Sequence, residues 1–241
     1  MVQIEKEEQR IRAVYARRDS AGKPALYEWH RQDVIFSQYR SRAVAACMLA
    51  GDGLRDLSKI EILDVGCGSG GWLRTLMDWG ASPKCLHGID LLDGRIESAR
   101  NLASDIDFQV ASGCAIPFGN SSMDLVSANT VFSSILDRTT RLALAKEMSR
   151  VVKPNGRVLI FDYRISDPRN PDTTGIRKGE IRRLFPGFGI QSHSLILAPP
   201  LLRPVAPVSL LLAHLFEFLF PFLRTHAFYL LRHSEPPFLR N

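Results

Sequence analysis

The chain has 241 residues, of which 45% are hydrophobic, and its formal net charge is +6. A chain of this length and apolar content can bury one substantial core, and α/β sheets of this size commonly form one domain. The four cysteines lack C-x-x-C spacing, which argues against a disulfide framework or a zinc site, so no metal is expected. There is no compact Lys/Arg run and no aromatic RNA-binding motif, so nucleic acid is not expected as a partner.

The N-terminal region predicts two helices ahead of the main domain. Its first residues, MVQIEKEEQRIR, are charged and lack the apolar run of a secretory signal, which favours a cytoplasmic protein. The pattern predicts one helix over residues 3–18, a break at the Gly-Lys-Pro sequence of residues 22–24, and a second helix over residues 33–49.

A short apolar strand followed by a glycine-rich turn, ILDVGCGSGGWL at residues 62–73, is the most informative segment of the chain. Glycines at 66, 68, 70 and 71 let the backbone adopt positive φ and let a ligand approach main-chain N–H groups. The helix that begins near Gly71 presents its positive end to an anion. The segment therefore predicts a loop that binds a small, partly anionic nucleotide cofactor.

Two classes of cofactor fit such a turn, because Gly66, Gly68 and Gly71 also satisfy the G-x-G-x-x-G spacing of dinucleotide folds. Asp64 distinguishes them, since a carboxylate two residues before the first glycine would repel a pyrophosphate and attract an ammonium or sulfonium group. S-adenosylmethionine (SAM) carries both of those cations. With Asp64, Gly66, Gly68 and Gly70 in D-x-G-x-G-x-G order, the chain resembles the class I SAM-dependent methyltransferases.

Further segments occur in the order that this resemblance requires. CLHGID at residues 85–90 predicts a second strand ending in Asp90, whose carboxylate would accept hydrogen bonds from the ribose hydroxyls, worth roughly 1.5–3 kcal/mol each. FQVASGCAIPF at residues 108–118 resembles the third strand and the loop after it. Many family members carry an aspartate that contacts the adenine amino group where this chain has Ser112. Adenine selectivity is therefore expected to depend more on the Gly113 and Cys114 backbone and on apolar packing of the ring.

The fourth and fifth strands complete the pattern. MDLVSA at residues 123–128 predicts the fourth strand, with Asn129 at its carboxyl edge, and residues 147–163 predict a helix end, a Lys-Pro-Asn-Gly turn and the fifth strand. The resemblance covers residues 60–165. It implies cofactor contacts from Asp64, Gly66, Cys67, Gly68, Gly70, Asp90, Leu91, Ser112, Gly113, Cys114 and Asn129. In the N-terminal region the residues expected to face the site are Tyr15, Arg18, Tyr27, Trp29 and Tyr39.

The last third of the chain predicts a helix over residues 178–185 and two strands, over residues 189–197 and 227–232, that pair antiparallel at the sheet edge. Between these strands lies the apolar run VAPVSLLLAHLFEFLFPFL, residues 205–223. Pro207 and Pro221 bracket the run, and His214 and Glu217 form a polar stripe that would be costly in lipid. The run therefore predicts a lid or core helix, with an interfacial membrane helix as the alternative.

Together these elements predict a Rossmann-like class I methyltransferase fold. It comprises a central, mostly parallel seven-stranded sheet with helices on both faces and an antiparallel last strand. One methyltransferase domain over residues 1–241 is expected. Its parts are an N-terminal helical cap (1–55), a SAM-binding core (58–165) and a C-terminal substrate or lid region with the last two strands (166–241).

A second resemblance concerns the acceptor of the methyl group. VFSSILD at 131–137, EIRRLFPGF at 180–188, LAPPLLRPVAP at 197–207 and LRTHAFYLLR at 223–232 resemble bacterial methyltransferase-like proteins associated with polysaccharide or other envelope glycan biosynthesis. This resemblance implies methyl transfer to a hydroxyl of a glycan, a lipid-linked sugar or another small amphipathic acceptor. Asp162 and Tyr163, at the end of the fifth strand, are the candidate catalytic residues.

Residues 141–241 contain 15 basic and 7 acidic residues, which is typical of a solvated basic face. Attraction to a phosphate-bearing substrate or a peripheral contact with an anionic membrane is the alternative interpretation. Three alternatives to an active O-methyltransferase stay open from the sequence. They are a SAM-binding or scaffold protein without turnover, a C- or N-methyltransferase acting on a small hydrophobic molecule, and a dinucleotide oxidoreductase.

Overall fold

The computed structural model describes residues 2–20 and 28–234, and within them eight α-helices and seven strands. The helices are α1 Val2–Ser20, α2 Gln32–Gly51, α3 Gly71–Asp78, α4 Asp93–Leu102, α5 Arg138–Val151, α6 Lys178–Leu184, α7 Pro199–Val205 and α8 Leu210–Leu219. The strands are β1 Ile62–Val65, β2 Leu86–Asp90, β3 Asp107–Val110, β4 Met123–Asn129, β5 Val152–Tyr163, β6 Phe188–Leu197 and β7 Arg224–His233. The two predicted N-terminal helices are present, each one residue longer at its start and two at its end.

The strands form one sheet in the order β3-β2-β1-β4-β5-β7-β6. The first five of these pair in parallel, whereas β7 runs antiparallel to both β5 and β6. The predicted mostly parallel sheet with an antiparallel last strand is confirmed. The strand order reverses at β1, and ligands of such sheets bind in the crevice at the carboxyl ends of the strands beside this reversal.

Two apolar layers cover the sheet, one on each face. All four residues of β1 are buried, and alternate side chains of a strand point to opposite faces. Ile62 belongs to the layer that contains Phe36 of α2, and Leu63 to the layer that contains Leu144 of α5. Helices α2, α3, α4, α7 and α8 contribute to the first layer, and α1, α5 and α6 to the second.

The predicted Lys-Pro-Asn-Gly turn lies inside the long strand β5, where the register against β4 shifts. Glycine is required there, because a Cβ on Gly156 would lie 2.7 Å from Cγ2 of Val152 and 2.9 Å from the carbonyl oxygen of Asp124. The turn therefore lets β5 pair with β4 on both sides of the irregularity and carries the chain to the functional edge of the sheet.

The apolar run of residues 205–223 does not form one long helix. Helix α8 begins after Ser209, whose Oγ accepts a hydrogen bond from the Leu212 N–H at 3.3 Å, and it ends at Leu219. No helix within residues 2–20 and 28–234 is long and apolar enough to cross a membrane.

The polar stripe of α8 faces inward. Glu217 is 2% exposed and accepts hydrogen bonds from Arg40 of α2 at 3.0 and 3.2 Å, and the His214 ring packs against Phe36. The apolar residues face solvent instead, with Leu211 78% and Phe218 74% exposed. Helix α8 is therefore not buried on all sides as a core helix would be, because it contacts the protein through Glu217, His214 and the buried Ala213 only along one side. The lid and membrane-interface alternatives stay predictions.

Candidate active site

A cavity opens at the carboxyl edge of the sheet, over the ends of β1, β2 and β4. It is lined by residues 65–66, 90–92, 111–114 and 129–131, together with residues of α1 and α5. The cavity thus lies where the strand order reverses, in agreement with the position expected for a ligand in such a sheet. Among the predicted cofactor residues, those that line it are Gly66, Asp90, Leu91, Ser112, Gly113, Cys114 and Asn129.

The glycine-rich loop packs against the end of β2. The N–H groups of Gly66 and Cys67 donate to the carbonyl oxygen of Ile89 at 2.8 and 2.9 Å, and the N–H of Gly68 donates to the Asp90 carboxylate at 2.9 Å. These N–H groups therefore hold the loop in place. Neither Cys67 nor Gly68 is among the residues that line the cavity.

Close approach of other side chains explains two of the glycines. Gly66 has a φ of +70° and Gly70 a φ of +77°, in the region that favours glycine. A Cβ on Gly66 would lie 2.6 Å from Cγ2 of Val131, and one on Gly70 would lie 2.6 Å from Cζ of Phe108. Gly66 brings the main chain to the cavity wall, whereas Gly70 lies outside the lining and allows α3 to start against Phe108.

Asp90 connects the loop to the cavity. Its carboxylate accepts hydrogen bonds from the N–H groups of Gly68 and Leu92, both at 2.9 Å, one on each oxygen. Each carboxylate oxygen has a second lone pair, and Asp90 lines the cavity. The residue can therefore accept two further hydrogen bonds from a ligand that carries a pair of hydroxyl groups.

Asp64 lies behind the cavity wall. Its side chain is 1% exposed and accepts hydrogen bonds from Ser127 Oγ at 2.7 Å and from Asn129 Nδ2 at 3.3 Å. Burial raises the pKa of Asp64 to about 7, against the lowering effect of these hydrogen bonds. The structure thus places Asn129 between Asp64 and the cavity, so Asp64 orients an amide rather than facing the cofactor cations expected from the sequence.

Helix α1 covers the cavity with Glu8, Ile11 and Tyr15, which lie three and four residues apart on one stripe. Tyr15 was expected from the sequence, whereas Glu8 and Ile11 were missed. The spacing of the three was the available signal, but the helix was expected to face the site through its aromatic residues and Arg18, and the acidic and aliphatic positions were not considered. Of the other predicted cap residues, Arg18 packs over the Tyr15 ring, Trp29 and Tyr39 are exposed, and Tyr27 lies outside the described residues.

Buried polar contacts fix α1 in this position. Glu7 is 7% exposed and accepts hydrogen bonds from Arg10 of its own helix and from the N–H of Leu136. Arg10 also donates to the carbonyl oxygen of Ser134 at 2.6 Å. Burial alone would raise the pKa of Glu7, but these hydrogen bonds lower it on balance, so the carboxylate is charged. The next residue, Glu8, is consequently held over the cavity.

The two predicted catalytic residues occupy different places. Asp162 is fully buried and accepts hydrogen bonds from the N–H groups of Ser133 and Tyr163 at 3.0 and 2.8 Å. Burial raises its pKa to about 6. Asp162 is not among the described residues that line the cavity, and its position is that of a buried structural acceptor. Tyr163 lies in a second cavity beside the first.

This second cavity, of about 290 Å³, lies between α2, α7 and the adjoining ends of β5 and β7. Phe161, Tyr163 and His226 form an aromatic wall, with the His226 ring 5.3 Å from Phe161 and 4.2 Å from Tyr163 between centroids. Asp33 and Arg203 are among its polar lining residues. Burial lowers the pKa of His226 to about 4, so its imidazole is neutral at pH 7.

The two cavities are one strand apart. Thr130 lines the first cavity and Phe161 the second, and the Thr130 N–H donates to the Phe161 carbonyl oxygen at 2.7 Å. Thr130 has a φ of +55°, and Ile196 in the second cavity has a φ of +63°. β-Branched residues rarely adopt this conformation, and such strain is found preferentially at functional sites. The arrangement can hold two ligands side by side.

Comparison with known proteins agrees with this geometry. Residues 62–156 match the model of a methyltransferase domain family. The chain is 32% identical over 113 residues to a demethylmenaquinone methyltransferase of Lactococcus lactis, an alignment that covers 44% of this chain and 43% of that protein. It is 34% identical over 115 residues to a ubiquinone/menaquinone biosynthesis C-methyltransferase of Geotalea daltonii, covering 45% of this chain and 47% of that protein.

Among solved structures, a putative sarcosine dimethylglycine methyltransferase from Galdieria sulphuraria has a TM-score of 0.62 at 20% sequence identity. The superposition covers 83% of this chain and 88% of that one. At this identity the likeness concerns the fold.

The fold and the cavity at the strand reversal agree with the match of residues 62–156 to a methyltransferase domain. The alignments span less than half the length of these two curated relatives. The residues present fit SAM, because a buried carboxylate with free lone pairs, Asp90, lies between the glycine loop and an apolar wall.

Proposed function

We propose that this protein transfers a methyl group from SAM to an acceptor bound in the second cavity. The observation that carries the proposal is the position of that cavity, one strand away from the cofactor cavity at the Thr130–Phe161 hydrogen bond. SAM, when bound, supplies a methyl group on a sulfonium that is already a good leaving group. Transfer of this methyl group to the acceptor would release S-adenosylhomocysteine and the proton that the acceptor atom loses, while Asp90 and the glycine loop would hold the cofactor.

In this proposal the described residues position the cofactor from three sides. Asp90 accepts the two ribose hydroxyls, and Gly66 with Asn129 borders the methionyl part. Residues 112–114 border the adenine. Holding two reactants in line is worth about 7–11 kcal/mol, so most of the rate acceleration is expected to come from this alignment.

A base is required only when the acceptor is a weakly acidic hydroxyl. His226 is a better candidate than Asp162, because it lines the second cavity and is neutral at pH 7, whereas Asp162 is a fully buried residue of β5 that lines neither cavity. Tyr163 lies beside His226 in the same wall. General base catalysis contributes about 10²–10⁴-fold when the pKa of the base lies near the operating pH, and the lowered pKa of His226 makes it a weaker base than that.

The proposed acceptor is a lipid that carries a hydroxylated ring. The aromatic wall of Phe161, Tyr163 and His226 suits a planar ring, and two relatives are described as quinone-pathway methyltransferases. A lipid-linked sugar or other glycan is the second candidate, favoured by Asp33, Ser37 and Arg203 at the rim, which can hydrogen-bond to sugar hydroxyls.

Isotope transfer tests the proposal. The protein is incubated with methyl-labelled SAM and a panel of polyprenyl hydroquinones and polyprenyl-linked sugars, and label in the lipid fraction is measured. Transfer to a hydroquinone supports the first acceptor class and transfer to a sugar the second, while mass spectrometry of the product distinguishes C- from O-methylation. SAM binding without transfer to any member of the panel would contradict the proposal and favour a binding protein without turnover.

We also propose a peripheral membrane contact through the outward face of α8 and the turn that follows it. The apolar side chains of Leu211, Phe218 and Phe222 are each at least two-thirds exposed, and an exposed apolar patch of this kind marks an interaction site. The single acidic residue of segment 199–224, Glu217, is buried and paired with Arg40. The patch therefore presents no carboxylate that would repel an anionic lipid surface.

Vesicle co-sedimentation tests this contact. Wild-type protein is expected to bind phosphatidylcholine vesicles containing phosphatidylglycerol, more weakly as salt increases. A Leu211→Gln/Phe218→Gln variant should bind the vesicles at least about tenfold more weakly, because two large apolar side chains are removed from the contact. The matched control is Leu102→Gln/Leu142→Gln, which changes two exposed leucines on α4 and α5. Equal binding by both variants, or none by wild type, would refute the contact.

A further inference from the structure

An unexpected carboxylate lies beside the wall that borders the adenine in the proposed cofactor pose. Ser112, where many class I methyltransferases carry an aspartate, donates its hydroxyl proton to Glu8 Oε1 of α1. The Ser112 Oγ in turn accepts a hydrogen bond from the Cys114 N–H at 3.0 Å. Because its only proton and one lone pair are engaged, Ser112 has little capacity left for a ligand.

Glu8 can still accept hydrogen bonds from a ligand. A carboxylate has two oxygens and about four acceptor sites, of which Ser112 occupies one. Glu8 lines the same cavity as Ser112, Gly113 and Cys114. The negative charge that is absent from position 112 is therefore present at this wall. It is contributed by Glu8 of α1, more than a hundred residues earlier in the chain.

The position of Glu8 is fixed by the neighbouring residues of α1. Glu7 binds the N–H of Leu136, and Tyr15 OH lies 3.1 Å from Ser134 Oγ. Both contacts attach α1 to the loop after β4. The buried Glu7 anchors the helix, and Glu8 and Ile11 consequently face the cavity. The Glu8 carboxylate is therefore held at the cavity by the position of α1 itself.

We infer that Glu8 takes the place of the missing aspartate and recognises the exocyclic amino group of adenine, with Ser112 as the residue that positions it. This inference rests on the proposed binding of SAM. Helix α1 would then be part of the cofactor site and not only a cover over it, because selectivity for adenine would require α1 to be packed against the cavity. A charge-assisted hydrogen bond of this kind is worth more than a neutral one to the Ser112 hydroxyl.

A substitution series with two ligands tests the inference. S-adenosylhomocysteine and S-inosylhomocysteine, which has a carbonyl oxygen in place of the adenine amino group, are titrated by calorimetry into wild type, Glu8→Ala, Glu8→Ala/Ser112→Asp and the control Glu5→Ala. Glu5 is an exposed acid on the same helix. Thermal unfolding of each variant shows whether it is folded.

Wild type and Glu5→Ala should prefer the adenosyl ligand. Glu8→Ala should bind S-adenosylhomocysteine about tenfold more weakly and lose the preference between the two ligands, as expected for one charge-assisted hydrogen bond. Adding Ser112→Asp should restore both affinity and preference, which a purely structural role of Glu8 would not predict.

Unchanged affinity and preference in a folded Glu8→Ala variant would overturn the inference while leaving the proposed function intact. Equal binding of the two ligands by wild type would also overturn it. Failure of wild type to bind S-adenosylhomocysteine would overturn the cofactor assignment itself, and the inference with it.

Discussion

At the scale of single residues, the site depends on carboxylates that hold other groups in place. Asp90 fixes the glycine loop and the Leu92 N–H, Asp64 orients Asn129, and Asp162 holds the backbone of Ser133. The sequence assigns Asp90 to the ribose hydroxyls and Asp64 to the cofactor cations, but it cannot show which of the two carboxylates is exposed to the cavity. Only the burial of Asp64 and its contact with Asn129 show that it acts on the cavity indirectly.

Asp90→Ala should weaken binding of S-adenosylhomocysteine by about a hundredfold or more, because it removes the acceptor proposed for two hydroxyls at roughly 1.5–3 kcal/mol each and frees the loop. Calorimetric titration measures the change. Asp93→Ala, at an exposed acid three residues later, is the matched control and should bind like wild type. A folded Asp90→Ala protein with unchanged affinity would contradict the site assignment.

Asp64→Asn should bind S-adenosylhomocysteine nearly as well as wild type at pH 8, whereas Asp64→Ala should bind it more weakly. The asparagine keeps an oxygen for Ser127 and Asn129, while alanine leaves both donors without their acceptor, at a cost of about 1–3 kcal/mol. If Asp64→Asn lost as much affinity as Asp64→Ala, the negative charge itself would matter, and direct attraction of the cofactor cations would be the better explanation.

Stability should depend on the ionisation of Asp64. Burial raises its pKa from 3.8 to about 7, so its contribution to stability is fully present below about pH 4 and is lost as the pH rises to about 7. The difference in Tm between Asp64→Asn and wild type should therefore shift in favour of the variant between those pH values. Thermal unfolding followed by circular dichroism measures it, and a difference independent of pH would exclude this ionisation as the cause.

At the scale of elements, α8 shows how a helix can be attached with its apolar side outward. Glu217 accepts two hydrogen bonds from Arg40, and Arg224 of β7 donates to the Glu217 carbonyl oxygen at 2.9 Å. The helical spacing of His214 and Glu217 in the sequence correctly predicts that they share one side of α8. It cannot say which side faces the protein, because that depends on Arg40, which is distant in sequence.

Glu217→Ala should destabilise the protein by about 2–4 kcal/mol, since Arg40 would be left half-buried without its partner. For a chain of this size, each kcal/mol corresponds to a Tm shift of roughly 2–4 °C. Glu217→Gln should lose less, because the amide oxygen can still accept from Arg40. A Glu217→Ala variant as stable as wild type would show that α8 is held by its other contacts.

At the scale of the whole molecule, the sequence was sufficient to predict the sheet, but it did not predict how the covering helices pack on it. The strand ends and glycine turn have local signatures, so the order of elements, the antiparallel last strand and the cofactor loop were all predictable. The contributions of Glu8 and Ile11 and the second cavity depend on how α1, α2 and α7 pack across the sheet edge, which no local pattern encodes. The division into cap, core and lid region stays a prediction.

The most direct test of the account is calorimetric titration of the purified protein with S-adenosylhomocysteine, with NADH titrated in parallel. The account predicts saturable micromolar binding of S-adenosylhomocysteine and none of NADH. Asp90, at the end of β2, lines a cavity suited to a nucleoside, and Asp64, buried in β1 behind Asn129, disfavours a pyrophosphate nearby. Binding of NADH alone, or of neither ligand by the folded protein, would contradict it.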